Sequence, residues 1–327
     1  MLIMTNAAHT APHSPVHSFG GDLPVRRIAY GAMRLAETPE EALTDPLRAT
    51  IWRAPADREG AIALLRQAVE LGVELIDTAD AYSLGQSEEL IAEALHPYAG
   101  KVTVATKAGV VRPGPYEWVT HGHPAYLRQQ AELSLRRLRV ERLDLLQLHR
   151  IDPEYPLADQ LGALRQLQDE GKVRHIGLSE VTVDELRAAR EIVPVVSVQN
   201  VYNLAERGHD DVVDYTAEHG IAFMPYFPVA MGAHAGPDGP VAAVARELGA
   251  TPAQTALAWL LRRSPTMVPI PGTRSIGHLA ENMGALDIQL SDEQYDRLDR
   301  LSGTTDAGQT SRTPERQTAE TRGTPGR

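Results

Sequence analysis

Between positions 25 and 286 short apolar runs alternate with amphipathic stretches, and the alternation repeats eight times. The runs at 25–31, 73–77, 101–107, 143–149, 173–177, 195–199, 221–225 and 267–270 are brief and nearly continuous, as strands buried on both faces are. The stretches at 58–71, 87–95, 126–138, 157–170, 183–190, 210–219, 241–248 and 276–286 carry apolar residues at helical spacing. Leu133, Leu135 and Leu138 are core positions of one such helix. Thr182 or Asp184 can cap the fifth, Pro252 opens an extra helix before the last strand, and Gly72, Gly171 and Gly220 close others. Eight strand and helix units predict an α/β protein closed into a (β/α)8 TIM barrel rather than an open doubly wound sheet.

Three segments fall outside this rhythm. Residues 1–18 and 303–327 are rich in Thr, Ser, Pro, Gly and charge, which predicts disordered tails around a barrel domain at 19–302. His9, His13 and His17 are then tail residues, because Pro12 and Pro15 prevent a helix that would present them together. The third segment, 34–57, is a long connection after the first strand and carries Trp52, either as a substrate loop or as a partly helical decoration.

Composition narrows the function. At 327 residues and 43% hydrophobic the chain can fill one large core, and no run reaches the roughly 18 apolar residues of a membrane span. The first residues do not have the pattern of a secretory signal, so the expected location is the cytoplasm. With no cysteine there are no disulfides, thiolate metal sites or thiol nucleophiles. A net charge of −11 speaks against nucleic acid and leaves a small molecule as the expected partner.

In a barrel the reactive groups stand at the C-terminal strand ends. Asp77 ends the second predicted strand with Tyr82 just beyond it, Lys107 ends the third and His149 the fourth. Taken singly, each has an ordinary explanation as a cap, a packing residue or a solvated group. Four such groups at one mouth fit reduction of a carbonyl by hydride, which leaves a negative oxygen to be stabilised and protonated. Tyr82 can supply the proton if Lys107 lowers its pKa from about 10. Asp77 would hold Lys107, and His149 would orient the substrate oxygen. Gly272, Thr273, Arg274 and Ser275 lead into a helix whose first N–H groups favour an anion, although Arg274 could equally pair with a carboxylate and Thr273 or Ser275 merely cap. Neither a Rossmann glycine fingerprint nor a P-loop occurs. His121 and His123 lie in a loop without strand-end carboxylates and suit solvent or substrate contact better than metal, so no metal site is expected.

Ile76-Asp-Thr-Ala-Asp-Ala-Tyr82, Thr106-Lys107, Leu143-Asp-Leu-Leu-Gln-Leu-His149 and Ile270-Pro-Gly-Thr273 with Glu281-Asn282 occur in order, and over 22–301 the chain resembles the aldo-keto reductase superfamily. Gly31-Ala-Met-Arg-Leu35, Leu148-His-Arg-Ile-Asp152 and Gly177-Leu-Ser-Glu180 resemble its bacterial pyridoxal-reductase-like branch. The resemblance implies an NADPH-dependent reductase of aldehydes or ketones, pyridoxal among them, with Tyr82 as proton donor and Asp77, Lys107 and His149 completing a tetrad. It further implies Ser179 and Gln199 at the nicotinamide carboxamide and Tyr226 stacked on its ring. Thr273, Arg274 and Ser275 would hold the adenosine 2′-phosphate, hence NADP rather than NAD, and Glu281 and Asn282 would meet the adenine. Trp52 and Trp118 fall in loops that would contact substrate, Tyr116 and Trp118 in a lid. The chain departs from the pattern at Glu180, where many relatives have Asn, at Gly272, where many have a phosphate-binding Lys, and at His278, where many have Arg. Two other readings are a cofactor-binding regulatory protein of the same fold with little turnover, and a metal-dependent barrel hydrolase using His149 and Asp77.

Overall fold

Seven short strands lie side by side in parallel, because each is buried on both faces and helical crossovers join them. The computed structural model describes residues 14–36, 51–98, 100, 102–230, 234 and 236–303. Residues 1–13 of the expected tail at 1–18, residues 304–327 of that at 303–327, the centre of the 34–57 connection and Lys101 lie outside the described residues. The hairpin β1 (Val16–Phe19) and β2 (Leu23–Arg26) comes first, followed by the barrel strands β3 (Tyr30–Gly31), β4 (Leu75–Asp77) and β5 (Thr103–Ala108). A small ribbon, β6 (Val110–Val111) with β7 (Val119–Thr120), precedes β8 (Leu143–Leu148), β9 (Val173–Ser179), β10 (Val195–Gln199) and β11 (Ala222–Phe223). The sheet order is β11-β10-β9-β8-β5-β4-β3.

The eighth predicted strand closes the cylinder without forming a ladder of its own. Val268 N donates to Phe223 O at 2.7 Å, while Ala29 N donates to Pro269 O and Gly31 N to Pro271 O. Pro269 and Pro271 have no N–H to return, so this edge can only accept. The seam is tight. A Cβ on Gly31 would stand 2.6 Å from Ile270 O, and one on Gly272 would stand 2.7 Å from Gly31 O.

Inside the cylinder Leu75, Ala105, Leu145, Val196, Ala222, Met224, Val268 and Ile270 form an apolar layer, which Phe19, Leu23 and Val25 of the hairpin cover at the N-terminal end. This corrects two expectations. The tail at 1–18 contributes β1 from Val16, with His17 buried in it, and the single strand at 25–31 is the end of the hairpin followed by the separate β3. A second, larger apolar layer lies between the strands and the surrounding helices.

Those helices are α1 (Arg58–Glu70), α2 (Gln86–Leu95), α3 (Pro124–Leu138), α4 (Leu157–Asp169), α5 (Val183–Arg190) and α6 (Asp210–Glu218), then α7 (Pro240–Leu248), α8 (Pro252–Arg263), α9 (Ile276–Gly284) and α10 (Asp292–Asp299). Thr182 caps α5 in a reciprocal box with Glu185, and Pro252 opens α8. α10 is an addition to the predicted set, and Ser291 and Gln294 box its start. Among the described residues no helix is long and apolar enough to cross a membrane.

Candidate active site

Three consecutive barrel strands deliver the central groups. Asp77 is the last residue of β4, Lys107 lies near the end of β5, and His149 follows directly on β8. The Lys107 ammonium is completely buried and donates to Asp77 Oδ2 at 2.6 Å and to Thr78 O at 2.7 Å. Gln147 and Gln199 each donate an amide N–H to Asp77 Oδ1, at 3.2 and 2.8 Å. Lys107 Nζ lies 5.1 Å from the centre of the Tyr82 ring, and the Tyr82 and His149 rings meet edge to face at 6.2 Å.

The electrostatics follow from this burial. Desolvation by itself would depress Lys107, but Asp77 and Tyr82 overcome it and lift the ammonium above its ordinary range. Burial, assisted by Arg150, Lys107 and Arg112, holds His149 well below the usual histidine range, so its imidazole is neutral. Its Nδ1 is buried without a hydrogen-bond partner. Tyr82 departs from the sequence expectation, because desolvation raises its phenol by more than Lys107 lowers it. The arrangement therefore keeps a protonated phenol beside a fixed cation, which is a proton donor whose phenolate would be stabilised once formed.

Tyr82 is aimed by a strained turn. Ser83 and Leu84 both adopt left-handed backbone, with φ of 49° and 53°, at a cost of about 1–2 kcal/mol each. The turn is held from outside, since Ser83 N donates to Ile51 O and Ser83 Oγ to Arg53 O. That segment carries Trp52. Trp118 packs edge-on against Tyr82 at 6.4 Å and against His149 at 6.1 Å. Arg112 stacks between the indoles, 3.7 Å from the Trp118 ring centre and 5.7 Å from that of Trp52. Trp118 is thus at the mouth, and Trp52 joins it through Arg112. Tyr116, expected with Trp118 in a lid, is mostly exposed.

Around the remaining rim Ser179, at the end of β9, accepts from Arg150 Nη1 at 2.9 Å. Gln199 gives one of its two amide N–H groups to Asp77 and has its carbonyl oxygen as an acceptor. Tyr226 rests on the apolar barrel interior beside Phe227, and burial, followed by the charge of Glu180, raises its phenol. Glu180 accepts from Val201 N at 2.8 Å.

At the closing seam Ser275 caps α9 by accepting from His278 N, and Thr273 Oγ1 accepts from Ser275 N. Both hydroxyls thus have the local role that was the plainer of the two readings. Burial lowers Arg34, and the charge of nearby Arg274 adds to it. Arg34 also fills the space beside Gly272, whose Cβ would meet Arg34 Cγ at 2.9 Å. Two guanidiniums near a helix start have the chemistry to hold a phosphate. Glu281 and Asn282 follow on α9, Asn282 buried and the Glu281 carbonyl accepting from Gln254.

The sequence reading did not single out Arg34, Arg112, Arg150 or Asp80. Asp80 is buried at the Tyr82 turn, where burial and Glu88 raise its carboxyl well above the usual range. His121 and His123 pack with Tyr126 and Tyr155, and His123 Nδ1 accepts from Ala125 N. Among the described residues no three His, Cys, Asp or Glu side chains converge as a metal would require.

The sequence signature described as "Aldo/keto reductase family" matches residues 27–302. An uncharacterized oxidoreductase of Schizosaccharomyces pombe is 46% identical over 287 residues, covering 88% of this chain and 90% of that protein. The pyridoxine 4-dehydrogenase of Escherichia coli is 40% identical over 288 residues, covering 86% of this chain and 96% of that protein. Among solved structures, an aldo/keto reductase of Klebsiella pneumoniae in complex with NADP and acetate superposes with a TM-score of 0.74 at 29% identity, covering 88% of this chain and 95% of its own.

Proposed function

The chain belongs to the aldo/keto reductase family, and from that premise we propose that it reduces the carbonyl of small aldehydes or ketones to the alcohol with NADPH, pyridoxal to pyridoxine being the finer reading. One observation carries the proposal: a buried ammonium, pinned between Asp77 and Thr78 O, lies against the ring of Tyr82, with neutral His149 alongside. The 40% identity to a pyridoxine 4-dehydrogenase supports pyridoxal as substrate, and the NADP bound in the Klebsiella relative supports the cofactor.

The residues present fit that cofactor. Arg34 and Arg274 are near enough to repel, and an anion bound at the start of α9 would relieve that repulsion. Arg274, Arg34, Thr273 and Ser275 would hold the 2′-phosphate, Glu281 and Asn282 the adenine, and Tyr226, Ser179 and Gln199 the nicotinamide. NADPH, when bound, supplies the hydride. A carbonyl oxygen presented to Tyr82 and His149 gains negative charge as its carbon is reduced. The Tyr82 hydroxyl gives its proton to that oxygen, and Lys107 stabilises the phenolate left behind. Asp77 keeps Lys107 charged and in place, while His149, being neutral, orients the oxygen without competing as an acid.

The test is to titrate NADPH and NADH by fluorescence and then follow NADPH oxidation over an aldehyde panel that includes pyridoxal. Turnover that survives a chelator is the expected result. NADPH binding without turnover across the panel would favour a regulatory protein, and failure to bind either nucleotide would overturn the proposal.

A further inference from the structure

Glu88 is fully buried in the first turn of α2, three residues beyond Gly85, where the strained turn of Tyr82 ends. Its two oxygens serve different elements. Oε1 accepts from Thr106 Oγ1 at 2.5 Å, and Thr106 is the neighbour of Lys107 on β5. Oε2 accepts from Arg137 Nε, also at 2.5 Å, on α3. Side chains alternate along a strand, so Lys107 points into the barrel and Thr106 out towards the helices. Glu88 and Arg137 therefore meet β5 from outside the barrel wall.

Arg137 in turn supports the Tyr82 turn. Gly85 has a φ of 90°, and a Cβ there would stand 2.7 Å from Arg137 Nε, 2.8 Å from Cδ and 3.0 Å from Cζ. The arginine side chain thus lies directly against the Gly85 backbone, which any side chain at 85 would prevent. Arg137 Nη2 also reaches the buried Ser134 Oγ at 3.3 Å, on its own helix. Two further bonds join the same elements: Thr78 Oγ1 lies 2.8 Å from Ser87 Oγ, and Asp80 N donates to Lys107 O at 3.2 Å.

We propose that Glu88 and Arg137 are positioning residues for proton transfer from Tyr82. One carboxylate, bonded both to the strand of Lys107 and to the arginine that supports the turn of Tyr82, fixes the 5.1 Å between the ammonium and the phenol ring. The inference rests on the carbonyl-reductase reading of the same site. Its physical basis is the left-handed backbone of Ser83 and Leu84, which persists only while its surroundings hold it. With Arg137 gone from Gly85 the turn relaxes, and Tyr82 moves relative to Lys107.

The test removes both charges at once, Glu88→Gln with Arg137→Met, because either change alone would leave a buried charge unpaired and threaten the fold. With the full-length protein, NADPH and a reducible aldehyde, kcat should fall about tenfold, while KM and the NADPH dissociation constant, read by fluorescence, stay within about twofold. The same two changes made in Tyr82→Phe should alter its residual rate by less than about twofold, since no phenol is left to aim. Arg137→Lys, which keeps a cation for Glu88 but not the guanidinium against Gly85, should lower kcat by about threefold with the same unchanged KM. An equal loss with and without the Tyr82 hydroxyl, a loss expressed in KM and NADPH affinity, or a wild-type kcat in Arg137→Lys would overturn the proposal and leave the pair as packing only. The position of Tyr82 is also read without turnover, by fluorine NMR of protein labelled with 3-fluorotyrosine, where the line that Tyr82→Phe removes belongs to Tyr82. That line should move or split in the doubly substituted protein, and an unmoved line would overturn the proposal. A moved line in a protein that reduces no aldehyde would uphold the positioning of Tyr82 and overturn the reductase reading instead.

Discussion

Each end of the barrel buries a cation and a histidine, and the two ends use them differently. At the N-terminal end Arg27, 2% exposed, donates to the carbonyls of Met267, Leu261, Ser264 and Ser14. His17 is buried near it, and desolvation followed by the charge of Arg27 lowers that histidine to about 4. At the C-terminal end the cation is Lys107 and the histidine is His149, also pushed down by burial. Burial and shifted acidity therefore do not distinguish the ends. The partners do: Arg27 is met by backbone dipoles that cannot change charge, whereas Lys107 is met by a carboxylate and a phenol that can exchange protons.

That contrast can be broken most forcefully at Lys107. Lys107→Met leaves Asp77 as a buried carboxylate with only amide donors, which should cost about 3–5 kcal/mol in denaturant unfolding and more than about a hundredfold in turnover per folded molecule. Wild-type turnover in this variant would erase the distinction. Arg27→Met should also destabilise, by about 2–4 kcal/mol, since it strands several buried carbonyls. Here kcat and KM of the folded enzyme should stay at the wild-type values, and a changed kcat would show that the lower end is coupled to the chemistry.

His17 sharpens the comparison through pH. Its folded value is about 4 against 6.5 unfolded. Below 6.5 the unfolded chain takes up a proton that the folded chain refuses, so stability present above 6.5 is lost as the pH falls towards 4, by up to about 3 kcal/mol. Urea unfolding across that range should show the loss in the wild type and a flatter profile in His17→Leu. The smallest effect belongs to the seam: Ser275→Ala removes the α9 cap and should cost about 1 kcal/mol, read as a melting temperature lower by about 2–4 °C.

The barrel was legible because strands buried on both faces read as unbroken apolar runs, and helices between them keep a clear period. Strand ends followed directly, so Asp77, Lys107 and His149 could be placed, and Tyr82 with them. The hairpin escaped because its strands have four residues each and lie among prolines, although Gly20, Gly21 and Asp22 between two alternating segments were a turn signal. The capping box of Ser291 with Gln294 likewise marked α10. Arg34, Arg112 and Arg150 carried no such mark. Their meaning depends on which connections pack together: Arg112 matters because Trp52, sixty positions away, lies over it. The direction of the Tyr82 shift was missed because spacing reveals the neighbouring cation but not the depth of burial that outweighs it.

Tyr82→Phe, studied in a single turnover with NADPH and an excess of a reducible aldehyde, bears most directly on the central claim. The variant should bind NADPH within about twofold of wild type, because the ring is retained, yet oxidise it at least about a hundredfold more slowly for want of a proton donor. Oxidation at the wild-type rate would contradict the account and move proton delivery to another group.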